Sequence, residues 1–241
     1  MMKTFQILFC MTAFLLSACH ARVDNTYDES SLNHELDSIT QVILSENMQA
    51  QFAKADYTPK DKDVDRCVEI CDTLIAHGVV PNPIMTKLRI LSVAKRYKEC
   101  IEFGNSEICS SNEVYPVPGL LKYKLNAMQC RLDGDKEGEE KCIKLAFECI
   151  NQYIRKNKTV FDDLLKMNKE SFESAVVTNY KSNQPYVKAM MTIMLYEMYY
   201  ACTFGNDAWN KEYERLCKEY PDAFVLTTMK SSVPSTDIMS F

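Results

Sequence analysis

Cysteine is the residue type with the greatest capacity for chemistry in this chain, because its 241 residues include 11 cysteines but only three histidines. Cys67, Cys71 and His77 come closest to a metal-ligand pattern. Structural zinc sites usually present a C-x2-C pair and a second pair of ligands further along the chain. The spacing here is C-x3-C, and no second pair follows. We therefore predict that both cysteines pack in the interior and that the protein holds no metal and no other cofactor.

A hydrolytic site would need acids and histidines whose positions bring them together. His34, His77 and Glu46 show no spacing that builds a catalytic dyad or triad. The six glycines also form no phosphate-binding, dinucleotide-binding or nucleophile-elbow motif. The sequence therefore does not indicate an enzyme. A hydrolase is a less favoured function than a binding protein or an inhibitor protein.

The net charge of −5 comes from acidic residues that alternate with lysines along the chain rather than forming one tract. A nucleic-acid-binding protein needs a basic surface that neutralises phosphates. We therefore predict no nucleic-acid partner.

The amino-terminal residues have the organisation of a secretory signal. Lys3 precedes a mostly apolar run over 5–18 that is too short to cross a bilayer. The run closes with Leu16-Ser17-Ala18-Cys19, which resembles a bacterial lipobox. The resemblance implies that residues 1–18 are removed as a signal peptide and that Cys19 is acylated, with palmitate among its acyl groups. A multiply acylated amino terminus anchors a protein to a membrane without a transmembrane helix.

The residues after Cys19 bear on where the anchored protein resides. His20 stands where an Asp retains lipoproteins at the inner membrane of enteric bacteria, so this analogy favours the outer membrane. Residues 19–31 are polar and are predicted to form a flexible tether. Its acids, Asp24, Asp28 and Glu29, weakly resemble the surface-export signal of Bacteroidota lipoproteins. The periplasmic face and the cell surface both stay open as locations.

Removal of Cys10 with the signal peptide and acylation of Cys19 would leave nine cysteines, an odd number. At least one thiol would then stay unpaired or bond to another molecule. Cys142 and Cys149 cannot pair with each other, because they are separated by about 10.5 Å of rise along one predicted helix. Whether any disulfide forms is left open.

Apolar residues recur with helical spacing, and seven of the eight prolines fall between the helical segments. In one segment Leu125 and Met128 belong to an apolar stripe, and Lys124 and Arg131 are predicted to lie away from it. No segment shows the period-two pattern of a strand, so we predict an all-α fold. The helices are predicted at about 32–54, 61–77, 84–95, 97–110, 119–132, 136–156, 160–180, 185–203 and 207–220.

Two proline-flanked tripeptides, Pro81-Asn82-Pro83 and Pro116-Val117-Pro118, lie 35 residues apart. This spacing is close to the roughly 34 residues of a tetratricopeptide helix pair. Residues 94–103 also resemble the turn and second-helix start of that repeat. The resemblance implies antiparallel helical hairpins stacked as a solenoid over 61–156 and, less well, over 185–221. An irregular helical bundle is the alternative.

We assign residues 32–224 to one tetratricopeptide-like domain and residues 225–241 to a C-terminal tail. Within the domain, residues 186–204 are apolar on nearly all sides, but Lys188 and Glu197 argue against a membrane span. We therefore predict a central buried helix there. A Met- and Tyr-rich docking face is the alternative for these residues.

The repeat register predicts a concave face for a protein or peptide partner. Successive helices contribute residues to it: Met85, Arg89 and Ser92, then Lys124, Met128 and Arg131, then Leu195 and Tyr199. Because three of these residues are basic, we predict an acidic segment or a chain carboxylate as the ligand, held by charge-assisted hydrogen bonds. An ordinary solvated helix face is the alternative for these side chains.

The leading hypothesis is therefore a lipid-anchored adaptor of the cell envelope that binds a protein and is not an enzyme. A lipid-anchored immunity or inhibitor protein, which would neutralise a toxin by covering its surface, is the alternative.

Overall fold

The computed structural model describes residues 27–112, 114–178, 184–229 and 237–239. Over these ranges the chain forms 12 α-helices and one π-helical segment, with no strand. The prediction of an all-α fold is confirmed. No helix within these ranges combines the length and the apolar character that crossing a membrane requires.

Most of the predicted helical segments correspond to one helix each, with boundaries that differ by a few residues. In chain order the helices are α1 (Glu29–Phe52), α2 (Asp61–Ala76), α3 (Asn82–Val93), α4 (Tyr97–Gly104), α5 (Glu107–Ser111), α6 (Leu120–Asp133), α7 (Lys136–Lys156), α8 (Lys158–Leu165), α9 (Lys169–Phe172), α10 (Gln184–Phe204), α11 (Asn206–Glu219) and α12 (Phe224–Met229), and the π-helical segment is Glu173–Thr178.

Capping and turn residues set several helix ends. The Asp28 side chain begins α1 by accepting hydrogen bonds from the backbone N–H groups of Ser30 and Ser31, at 3.1 and 3.2 Å. Pro83 lies in the first turn of α3, where a missing N–H breaks no helical hydrogen bond. Gly134 ends α6 with a φ of +76°, a backbone conformation that favours glycine.

The structure differs from the predicted organisation at four places. The helix predicted over 97–110 is interrupted after Gly104, and the helix predicted over 160–180 is divided among α8, α9 and the π-helical segment. Helix α1 begins within the predicted tether, and the preceding Tyr27 ring stacks on His77 with centroids 3.8 Å apart. Part of the predicted C-terminal tail belongs to the fold instead, because α12 buries Val225 and Leu226.

Apolar side chains form three buried clusters. The first joins α1, α2 and α3 and contains Cys67 and Cys71, which are fully buried as predicted. The second joins α3, α4, α6, α7 and α10, and the third joins α8, α9, α11 and α12 with α10. Because α10 contributes to both the second and the third cluster, it is the central buried helix that its composition predicts. Met191 and Met194 are exposed on its outer side.

The helices pack mainly on their neighbours in sequence: α1 on α2, α2 on α3, α3 on α4, and α6 on α7. Helix α7 also packs extensively on α10. A stack of helical hairpins and an irregular bundle both contain such contacts, so the tetratricopeptide resemblance stays a prediction.

Candidate functional site

The face that we predicted to bind a partner is a groove between α3, α6 and α10, and residues 237–239 of the same chain lie in it. We call these features the α3–α6–α10 groove and the 237–239 segment. Helix α3 contributes Ser92 and helix α6 contributes Lys124 and Arg131. Cys202 of α10 and Tyr97, the first residue of α4, interact electrostatically with Asp237.

Helical spacing explains why the α6 residues share this groove. Lys124, Met128 and Arg131 lie at positions i, i+4 and i+7, which places their side chains on one face of the helix. Ser92 lies in the last turn of α3, shortly before the chain turns into α4. Helices α3 and α6 are separated in the chain by α4 and α5, and both contribute residues to the second buried cluster.

Three polar contacts hold the 237–239 segment. Arg131 Nη1 donates to Asp237 Oδ1 at 3.0 Å, and the same oxygen accepts from the backbone N–H of Met239 at 3.0 Å. Ser92 Oγ donates to the backbone carbonyl of Met239 at 2.5 Å. Asp237 Oδ1 therefore both closes a local turn and contacts Arg131 in the groove. The two following side chains are buried, Ile238 completely and Met239 to a 6% exposed fraction.

One cationic side chain, Arg131, pairs with this carboxylate, and a second, Lys124, interacts with it electrostatically. Arg131 pairs with Glu139 of α7 as well as with Asp237, and these bonds raise the pKa of its guanidinium. Lys124 is only 2% exposed, and burial lowers the pKa of its ammonium group to about 8. Cys100 and Asp237 act in the opposite direction on the pKa of Lys124. The groove is therefore a cationic site, and the apolar side chains of the second buried cluster form its floor.

Apolar burial, rather than charge, contributes most of the free energy that holds the segment. Complete burial of an Ile or Met side chain contributes about 1.5–3 kcal/mol. The Asp237 and Arg131 side chains are 53% and 37% exposed, and ion pairs with that exposure contribute about 0–1 kcal/mol. Ile238 and Met239 are therefore the anchors, and Asp237 sets the orientation of the turn.

Of the predicted site residues, Ser92 and Arg131 are brought together at the 237–239 segment, and most of the others are buried rather than part of an open face. Ser92, Lys124, Met128 and Tyr199 are buried, and Met85 and Leu195 are partly buried against the same cluster. Arg131 is engaged by Asp237 and Glu139, whereas Arg89 is exposed at the edge of α3. The prediction that Lys124 lies away from the apolar stripe was wrong, because α6 is covered on more than one side by α4, α7 and the 237–239 segment.

Asp237, Ile238 and Met239 were not among the predicted site residues. The sequence does carry a signal for them, since an acidic residue followed by two large apolar residues complements a basic face with an apolar floor. These three residues lie within the predicted C-terminal tail, which has no helical pattern that would place it against the groove.

The residues considered for metal binding or hydrolysis have other environments. His77 contacts the Thr73 backbone carbonyl through Nδ1 and stacks on Tyr27, while Glu46 accepts a hydrogen bond from the Tyr57 hydroxyl. His34 is exposed on α1. The part of the chain that the structure describes contains no group of three His, Cys, Asp or Glu residues able to hold a metal ion.

The described residues include nine cysteines, and none of these nine is in a disulfide. Cys19 and the rest of the lipobox lie outside the described residues.

Comparison with protein-family models, with curated proteins and with solved structures gave no match for this chain. The α3–α6–α10 groove is therefore the feature from which a function must be inferred.

Proposed function

We propose that this protein is a lipid-anchored adaptor of the cell envelope, placed at the outer membrane, that binds an acidic segment of a partner protein in the α3–α6–α10 groove. One observation carries the proposal: the groove already holds an acidic segment, in which Asp237 pairs with Arg131. The lipid anchor is the part of the proposal that rests on the lipobox resemblance of residues 16–19.

The chemistry of the groove supports a peptide ligand. Ser92 binds a backbone carbonyl, a group that every peptide offers, while Arg131 and Lys124 favour a carboxylate beside it. Arg89 is exposed on α3 one turn before Ser92, where it can contact a longer ligand that extends out of the groove. This combination selects an acidic polypeptide segment rather than a small neutral molecule.

A capture experiment with charge-reversed variants tests the proposal. The bait is the mature chain, and it is compared with a variant that carries Arg89→Glu and Arg131→Glu. Lys124 is left unchanged because a carboxylate at this buried position would disturb folding. We expect the native bait to retain one partner from envelope extract and the variant to lose at least about 90% of it, because two ligand-binding cations have been reversed.

The matched control carries Lys62→Glu and Lys211→Glu, which change the net charge equally on exposed positions of α2 and α11. It should capture as much partner as the native bait. Equal losses in both variants, or no loss in the first, would contradict binding at this groove.

A further inference from the structure

We infer that the α3–α6–α10 groove recognises a turn with the sequence acidic residue, aliphatic residue, methionine, and that the 237–239 segment is an internal ligand which a partner segment must displace. This inference rests on the proposed function and names the ligand class of the same site. It also makes the segment an autoinhibitory contact.

Each position of the segment makes a different contact. Asp237 supplies a single oxygen that accepts from both Arg131 and the Met239 backbone N–H. An asparagine could preserve the turn with its carbonyl oxygen but would lose the ion pair with Arg131. Ile238 has no exposed surface, which favours a branched aliphatic side chain at the second position. Met239 is held through its backbone carbonyl by Ser92 and through its side chain by the apolar cluster.

Buried polar side chains distinguish the groove from an ordinary part of the core. Among the buried polar side chains of the described residues, Ser92 donates a hydrogen bond to this segment and Lys124 interacts electrostatically with its Asp237. A permanently closed interior is normally filled with apolar side chains, because a buried ammonium group is costly. A cationic side chain is suited to a site that receives a carboxylate from a ligand, and here Asp237 pairs with Arg131 and interacts electrostatically with Lys124.

Covalent connection explains why the segment would act as a competitor. Seven residues join Met229, at the end of α12, to Asp237. A segment attached in this way has a high effective concentration at its site, so a free peptide with the same contacts binds poorly until the internal copy is displaced. The groove would therefore respond to partners that present the motif at high local concentration.

A peptide titration tests this inference with the mature chain, carrying Cys19→Ser so that it is purified without lipid. The probe is a fluorescent, C-terminally amidated peptide of residues 234–241, PSTDIMSF. A variant with Ile238→Asp weakens the internal segment. We expect this variant to bind the probe at least about tenfold more tightly than the unaltered chain. A probe with aspartate in place of its isoleucine should bind the variant at least about tenfold more weakly.

Equal affinity of the two chains, or equal affinity of the two probes, would overturn the inference. If Ile238→Asp impairs folding, the unaltered chain can be studied with 13C-labelled methionine methyl groups, and the Met239 signal is assigned with Met239→Leu. Excess unlabelled PSTDIMSF peptide should move that signal towards the position of a solvent-exposed methionine, and the altered peptide should not. A signal that stays in place at saturating peptide would contradict displacement.

The two proposals fail separately. Partner capture that depends on Arg89 and Arg131, without displacement of the segment, would retain the adaptor function and reject this ligand class. Displacement by the peptide without capture of any partner would retain the recognition motif and reject the adaptor function.

Discussion

Lys124 and Glu197 are charged residues that this fold buries, and they lie in different environments. Lys124 interacts electrostatically with the carboxylate of Asp237 in the α3–α6–α10 groove. Glu197, on α10, faces the Trp209 side chain, and its Oε1 atom has no hydrogen-bond partner among the described residues. Burial of a carboxylate without full hydrogen bonding disfavours its charged form. Glu197 is therefore expected to lower stability at neutral pH.

Replacement of Glu197 by glutamine should remove a pH-dependent loss of stability. Burial raises the pKa of Glu197 from 4.5 to about 7, so between these pH values the unfolded chain releases a proton that the folded chain retains. The contribution of Glu197 to stability therefore falls as pH rises from about 4.5 to 7. We expect Glu197→Gln to raise the free energy of unfolding by about 1–2 kcal/mol at pH 8 and by much less at pH 4.5.

Urea unfolding at both pH values measures this difference. The control is Glu214→Gln on the exposed side of α11, which should change the free energy of unfolding little at either pH. A Glu197→Gln variant that is less stable than the native chain at pH 8 would contradict the proposed cost of burying this carboxylate.

Ile238→Ala tests whether the 237–239 segment is anchored by apolar burial. The side chain has no exposed surface, so we expect a loss of about 1–3 kcal/mol in the free energy of unfolding. Met194→Ala truncates a side chain that is 57% exposed and should change stability by less than about 0.5 kcal/mol. Equal effects of the two substitutions in thermal unfolding would show that Ile238 is not an anchor.

At the scale of elements, proline and glycine positions and apolar spacing predicted most helices and their ends. Gly134 and Pro83 determine helix ends through their own backbone conformations, so their positions in the sequence are enough to predict these ends. The six residues of α12 are too few to display a helical period, so their helix could not be predicted. The position of the 237–239 segment depends on contacts with residues more than 100 positions earlier, Ser92 and Arg131, and no local pattern encodes such contacts.

The contact between α4 and α6 requires a glycine at position 104. A Cβ atom there would lie 2.7 Å from Cδ1 of Leu125, which is 1% exposed and surrounded by core side chains. Alanine is preferred over glycine within a helix by about 1 kcal/mol, but overpacking of a core costs about 1–3 kcal/mol. We therefore expect Gly104→Ala to lower the free energy of unfolding by up to about 2 kcal/mol.

Chemical denaturation measures that change, with Ser111→Ala on the exposed end of α5 as the control for a new alanine. A Gly104→Ala variant that is more stable than the native chain would show that helix propensity prevails and that Leu125 moves aside easily.

At the scale of the whole molecule, the proposed adaptor combines a predicted lipid anchor at Cys19 with the helical body that carries the α3–α6–α10 groove. The anchor predicts that Cys19→Ser abolishes incorporation of labelled palmitate and moves the protein from the detergent phase to the aqueous phase. The control is Cys10→Ser, because the residue lies in the predicted signal peptide and should be absent from the mature chain. Palmitate labelling that survives Cys19→Ser would contradict anchoring at this residue.

We propose that the α3–α6–α10 groove binds an acidic segment of another protein. Photo-crosslinking in intact cells is the decisive test of this binding. A crosslinking amino acid replaces Arg89, which is exposed beside the groove, and a second chain carries it in place of Lys211 on α11. We predict one discrete crosslinked partner from position 89, none of the same size from position 211, and loss of the product when Arg131→Glu is added. A product from position 89 that Arg131→Glu does not change, or the absence of any product there, would contradict the claim.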